Sequence, residues 1–87
     1  MRLSLDDAVL LGFSKYFETP PWSTVSIDEL SELTSKYGRS AVKQSIKNLI
    51  RQGLIVGIAD ESDDGMMEVY CCSSITQKGY DYLTRIK

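Results

Sequence analysis

Five cations and no acid fall between positions 36 and 51: Lys36, Arg39, Lys43, Lys47 and Arg51. Four of them, Arg39, Lys43, Lys47 and Arg51, recur every fourth residue, so on a helix they form one slowly turning stripe. The other side of the segment is apolar, with Val42, Ile46, Leu49 and Ile50. A helix apolar on one side and cationic on the other, in a chain of formal net charge −2, is suited to phosphate groups. A solvated helix can also carry lysines. Like charges at i,i+4 disfavour an isolated helix by roughly 0.2–0.5 kcal/mol per pair, however, so an ordinary surface more often interleaves glutamate. No acid occurs between Glu32 and Asp60.

Other chemistries find little support. Histidine is absent, which removes the commonest general base and the commonest zinc ligand. There is no Gly-rich phosphate loop, nucleophile elbow or D-x-D metal loop. Cys71 and Cys72 are adjacent, so they cannot form an ordinary disulfide, and no second pair completes a metal site. They read as two small apolar strand residues on opposite faces. The expectation is a protein that is not an enzyme and needs no metal or cofactor.

Eighty-seven residues are enough for one domain, residues 1–87, burying about 60–65% of its unfolded surface. Hydrophobic content of 43% and charged content of 25% are those of an ordinary soluble globular protein. No run approaches the ~18 apolar residues of a membrane span. The opening Met1-Arg2-Leu3-Ser4-Leu5-Asp6-Asp7 lacks a signal peptide's apolar region. A cytoplasmic location without membrane contact is expected.

The elements that must position the stripe follow from periodicity. Leu5, Ala8, Val9, Leu11, Phe13, Tyr16 and Phe17 recur at helical spacing, with Ser4 as N-cap, Asp6-Asp7 in the first turn and Pro20-Pro21 as the stop. Ser23-Thr24-Val25 is a short β-prone run. Ser26-Ile27-Asp28-Glu29 then spells a capping box for a second helix that carries Ile27, Leu30 and Leu33 inward and ends at Gly38. Tyr37, Gly38 and Arg39 make a turn short enough for a helix-turn-helix, and helix three spans about Ser40 to Gln52, closed by Gly53 and Leu54. Two strand-like runs, 54–59 and 67–72, flank a polar loop at Asp60–Gly65 whose turn signal is Asp64-Gly65. Thr76 caps a last helix over 77–86, with Tyr80, Leu83 and Ile86 inward. The predicted core is Leu30, Leu33, Val42, Ile46, Leu49, Ile58, Val69 and Leu83.

This order of elements resembles the winged helix-turn-helix family over nearly the whole chain. Leu49-Ile50-Arg51-Gln52-Gly53-Leu54-Ile55 is similar to the "L-x-x-x-G-L-I" junction of PadR- and MarR-like regulators. Ile75-Thr76-Gln77-Lys78-Gly79-Tyr80, followed by Leu83, is similar to their "L-T-x-x-G-x-x-x-L" exit from the wing. The resemblance implies an α+β, mostly α, winged helix: a three-helix core, a β-hairpin wing and a C-terminal helix. It also implies a sequence-specific, DNA-binding transcriptional regulator that sets helix 40–52 into the major groove of double-stranded DNA. On that basis Arg39 could read guanine and Gln44 adenine. Lys43, Lys47 and Arg51, with Ser40 and the Tyr37 hydroxyl, would touch phosphate.

The hairpin departs from the family pattern. Asp60, Glu61, Asp63, Asp64 and Glu68 give it five negative charges and no positive one, where a DNA-gripping wing carries Arg or Lys. Two readings stay open. Either helix three alone reads DNA while the hairpin points away, or the acidic hairpin docks on a basic protein or imitates nucleic acid. Phe13, Tyr16, Phe17, Trp22, Tyr80 and Tyr82 exceed what one small core easily buries, and the resemblance implies a homodimer paired through terminal helices. A dimer would read two half-sites about one helical turn apart.

Overall fold

The computed structural model describes residues 3–18 and 24–86. Helix α1 spans Leu5–Phe17 and begins with a reciprocal capping box: the Asp7 N–H donates to Ser4 Oγ at 3.1 Å, and the Ser4 N–H donates to Asp7 Oδ2 at 3.3 Å. The two acids of this turn also hold neighbouring helices. Tyr82 donates its hydroxyl to Asp7 Oδ1 and Ser45 donates to Asp6 Oδ1, both at 2.5 Å. The expected stop at Pro20-Pro21 and the side chain of Trp22 lie outside the described residues.

Strand β1 is Val25–Ser26, followed by a 3₁₀ turn over Ile27–Leu30 and helix α2 over Ser31–Tyr37. The capping box expected at Ser26 and Glu29 does not form, because Ser26 makes no side-chain cap hydrogen bond. Ser26 is held as a strand residue opposite Cys71, and the turn after it is tighter than the α-helical turn such a box closes. Gly38, at φ 92°, alone separates α2 from α3, which spans Arg39–Arg51 and so starts one residue earlier than expected.

Helix α3 ends in a Schellman motif. The Leu54 N–H donates to the Leu49 carbonyl at 3.0 Å and the Gly53 N–H to the Ile50 carbonyl at 3.1 Å, with Gly53 at φ 74°. Leu54 and Leu49 are both buried, in keeping with the apolar contact that often accompanies this motif. The chain then enters β2 (Ile55–Glu61), turns, and returns as β3 (Glu68–Ile75), giving an antiparallel sheet in the order β1-β3-β2. Strand β2 runs two residues further than expected and β3 starts one residue later, so the loop lies at 62–67 rather than 60–65.

Helix α4 (Gln77–Ile86) is clamped to the end of α3. Thr76 Oγ1 accepts from the Gly79 N–H at 3.0 Å, capping α4, and donates to the Gly53 carbonyl at 2.6 Å. The Thr76 N–H donates to the Leu54 carbonyl at 3.1 Å, and Lys78 Nζ to the Gln52 carbonyl at 2.9 Å. The two short motifs that flank the hairpin in sequence are therefore one junction in space.

The described residues form an α+β, mostly helical fold of four α-helices and a three-stranded antiparallel sheet. None of these helices is long and apolar enough to cross a membrane. Val9, Leu10 and Phe13 of α1, Val42, Ile46 and Leu49 of α3, and Val25, Tyr70, Cys72 and Leu83 make the centre of the core. Leu30 is buried and Leu33 half-buried. Two expected core residues are not in it: Ile58 is 53% exposed and Val69 48%. A strand alternates its faces, and here Tyr70 and Cys72 point inward, opposite Ala59 and Gly57. A Cβ on Gly57 would lie 2.2 Å from the Cys71 carbonyl oxygen, so only glycine fits opposite Cys72, and Ile58 and Val69 fall on the outer face. Burial raises the Cys72 thiol to about 12, so it stays protonated at neutral pH.

A Cβ at Gly79 would lie 2.1 Å from the Leu54 carbonyl oxygen, a backbone atom that cannot yield alone. Gly79→Ala is expected to cost about 1–3 kcal/mol by forcing α4 off the junction, measured by urea unfolding. Leu49→Ala, which empties a fully buried site, is expected to cost about 2–5 kcal/mol in the same measurement.

Candidate nucleic-acid interface

Helix α3 turns its apolar side to α1 and the sheet, and its polar side outward along Arg39, Ser40, Lys43, Gln44, Lys47 and Arg51. Its first turn has no side-chain cap, since Gly38 has nothing to offer the leading N–H groups. Ser40, Gln44 and Arg51 are exposed; the Gln44 amide donates to Asn48 Oδ1 at 3.2 Å. Tyr37 is exposed beside this turn, with Lys36 Nζ 5.3 Å from its ring centre. Lys43 and Lys47 lie over the Tyr70 ring at 5.3 and 5.8 Å, so the ring that fills the hairpin's inner face also seats two cations.

The hairpin does not leave these cations alone. Arg39 donates from Nε to Glu68 Oε1 at 2.8 Å and also from Nη2 to the same oxygen, while its Nη1 reaches Asp28 Oδ1 at 3.0 Å. Lys43 Nζ pairs with Glu68 Oε2 and lies 3.5 Å from Glu61 Oε2. Glu68 thus spends one oxygen on each of two cations that are one helical turn apart. Two cations meet three carboxylates here, so this end of the stripe is locally neutralised and slightly acidic. Of the five hairpin acids, Glu61 and Glu68 face α3. Asp60, Asp63 and Asp64 are exposed on the hairpin without an ion pair to α3 among the described residues.

Backbone length explains the meeting. Seven residues of β2 reach about 20 Å, close to the roughly 18 Å that separate Arg51 from Arg39 along α3. A hairpin that leaves the C-terminal end of α3 and runs back beside it delivers its far end to Arg39 and Lys43. There Glu61 and Glu68 are direct cross-strand partners, a like-charge pair that weakens a hairpin unless something neutralises it. Lys43 supplies that charge. Asp28, on the 3₁₀ turn, and Tyr70 were not among the predicted site residues. The hairpin's register, which puts Glu68 beside Tyr70 on the inner face, is the signal that would have found the latter.

Each partner shifts the other. The Lys43 ammonium and then the Arg39 guanidinium hold Glu68 below the usual carboxylate range, while Glu68 raises both cations. A lowered carboxylate contributes stability above its unfolded-state value and loses it as pH falls through the folded value. Asp64 is lowered for a different reason: its carboxylate accepts from the Ser62 hydroxyl and the Met66 N–H, which shapes the tip around Gly65 at φ 72°.

Lys43→Ala leaves Glu61 and Glu68 opposed without their shared cation. It is expected to lower the melting temperature by a few degrees near neutral pH. That deficit should shrink as pH falls from the ordinary glutamate range through the lowered value of Glu68, where this carboxylate takes up its proton. Thermal melts followed by circular dichroism across that range check both halves. Compared with family models, with curated proteins and with solved structures, the chain matches none, so a functional reading rests on this geometry alone.

Proposed function

We propose that this chain is a winged helix-turn-helix domain that binds double-stranded DNA through α3, as a sequence-specific regulator. One observation carries the reading: Arg39 and Lys43, one turn apart at the uncapped start of α3, converge on a single carboxylate. Two cations that grip both oxygens of one anion can grip a phosphate in the same way, so Arg39, expected at guanine, is here assigned to phosphate with Lys43. Ser40 and Gln44 are exposed on the same turn and suit base edges; the Gln44 amide, released from Asn48, has the donor and acceptor that pair with adenine. Lys47 and Arg51 extend the face towards further phosphates, and neither makes an ion pair among the described residues. The element order supports the family reading, with Gly38 as the turn between α2 and α3 and the β2–β3 hairpin as the wing. Pairing of two copies through terminal helices belongs to the same proposal; exposed Tyr80 on α4 and Leu3 before α1 are the apolar groups available for it.

A second reading is favoured by the hairpin's outer face. Val56, Ile58 and Val69 are about half exposed there, Met66 and Met67 more so at the tip, and Asp60, Asp63 and Asp64 lie around them. An apolar patch with an acidic rim suits a protein partner that offers apolar residues among Lys and Arg. Asp63→Asn separates the readings cleanly, because Asp64 also shapes the tip. A DNA binder should gain a little affinity at low salt, whereas a protein-docking hairpin should associate more slowly with its basic partner.

Fluorescence anisotropy with duplex DNA over a salt series tests the first reading. Lys47→Ala should weaken binding to every sequence alike and lower the salt slope by about 1 per monomer. Gln44→Ala should relax preference at one base pair, at a cost of about 1–3 kcal/mol for the favoured base. Equal losses on all sequences from both substitutions would reduce α3 to a non-specific cationic face.

A further inference from the structure

We propose that the hairpin is an electrostatic latch on α3: Glu68, with Glu61, occupies the anion position between Arg39 and Lys43 that a DNA phosphate would take. This rests on the DNA-binding reading above. Glu68 gives Oε1 to Arg39 and Oε2 to Lys43, so it fills both grips at once. It projects from the first residue of β3, on the face that also carries Tyr70, and its direct cross-strand neighbour Glu61 stands 3.5 Å from the same ammonium. Asp28 closes the remaining side of the guanidinium at 3.0 Å. The clamp is therefore complete without DNA.

Two consequences follow from charge alone. DNA must displace carboxylates before Arg39 and Lys43 can release any condensed counterion, so those two cations add little to the salt dependence of the native chain. The displaced carboxylates also stay close to the incoming phosphate, and their repulsion lowers affinity further at low salt. The latch opens wherever the end of the hairpin swings away from α3. The hairpin's base is tied by the Thr76 and Leu54 hydrogen bonds, while its end is held to α3 mainly by these ion pairs and the Tyr70 contacts. Ion pairs whose groups keep part of their surface in water, as Arg39, Lys43, Glu61 and Glu68 all do, are weak and exchangeable, which suits a contact meant to be broken.

The test compares the full chain with Glu68→Gln and with the double substitution Glu61→Gln/Glu68→Gln, using a short mixed-sequence DNA duplex as the probe. Circular dichroism establishes that each variant is folded. The latch predicts that the double variant binds roughly tenfold tighter at low salt, with a salt slope steeper by about 2 as two phosphate contacts become productive. Lys43→Ala in that background should cancel about half of the added slope. Asp63→Asn removes one charge of the same sign from the tip, where it makes no ion pair with α3 among the described residues, and should raise affinity only slightly at low salt, steepening the slope far less than the double variant does. In the free protein, the Arg39 Nε–H resonance should be visible by NMR in the native chain and lost in Glu68→Gln. If native chain and double variant bind with the same slope, or if Asp63→Asn steepens it as much, the latch is wrong and the DNA reading stands. If no form binds the duplex above background, the DNA reading falls and the latch with it.

Discussion

The end of α3 and the base of the hairpin are one hydrogen-bonded junction, and most of the remaining geometry depends on it. Gly53 takes the positive φ that lets the Leu54 N–H turn back to Leu49. Thr76 then binds the Gly53 and Leu54 carbonyls while capping α4, and Gly79 packs where any side chain would strike the Leu54 carbonyl. Three elements leave this point in set directions. The hairpin has no choice but to run back beside α3, and α4 is aimed so that Leu83 enters the core and Tyr82 reaches Asp7. The buried carboxylate of Asp7, bonded at once to Ser4 and Tyr82, closes the same circuit from the other side of the molecule. That carboxylate raises the Tyr82 phenol, whose stabilising proton is lost only as pH climbs through that raised value.

The direction of the hairpin decides the electrostatics. A net charge of −2 says little about where the charges lie. With β2 antiparallel to α3 and of nearly equal length, the acidic end of the hairpin must meet the cationic start of the helix. Glu61 and Glu68, a destabilising pair on their own, become tolerable because Lys43 stands between them. Arg39 and Lys43 are the other half of that exchange: a helix start that would otherwise repel itself is neutralised by the hairpin. The cations near the end of α3, Lys47 and Arg51, meet no hairpin carboxylate among the described residues; Gly57 and Ala59 line a shallow groove with them, and Lys47 also lies over the Tyr70 ring. The stripe therefore has a satisfied end and an unsatisfied end.

Much of this was legible before any coordinates. The helices followed from apolar spacing, their ends from Ser4, Gly38, Gly53 and Thr76, and the hairpin from Asp64-Gly65 between two β-prone runs. What misled was phase. Ile58 and Val69 are large, apolar and β-branched, and Gly57 and Ala59 are not, so size alone selects the wrong face of the hairpin. The phase goes with Tyr70 and Cys72, which are buried on the inner face opposite Ala59 and Gly57, where the Cys71 carbonyl leaves no space for a Cβ at Gly57. The Ser26 box failed for a related reason: local hydrogen-bonding potential gave way to pairing with Cys71, a residue 45 positions away.

Sequence by itself determined the elements, their order and the two surfaces that carry charge, because caps, glycine turns and apolar periodicity act within a few residues of one another. It also determined that α3 would be cationic on one side and apolar on the other. Only the tertiary structure decided that the two charged surfaces meet, through Glu61 and Glu68 on one side and Arg39 and Lys43 on the other. Glu68 lies 29 positions from Arg39 along the chain, and nothing local links them. They meet because the junction at Gly53 and Gly79 sends the hairpin along the helix, and because strand and helix there happen to match in length. Attraction between opposite charges falls off within a Debye length of about 8–10 Å, so it could not have drawn the hairpin in from afar. Backbone geometry brings the charges together, and electrostatics then fixes which side chains pair.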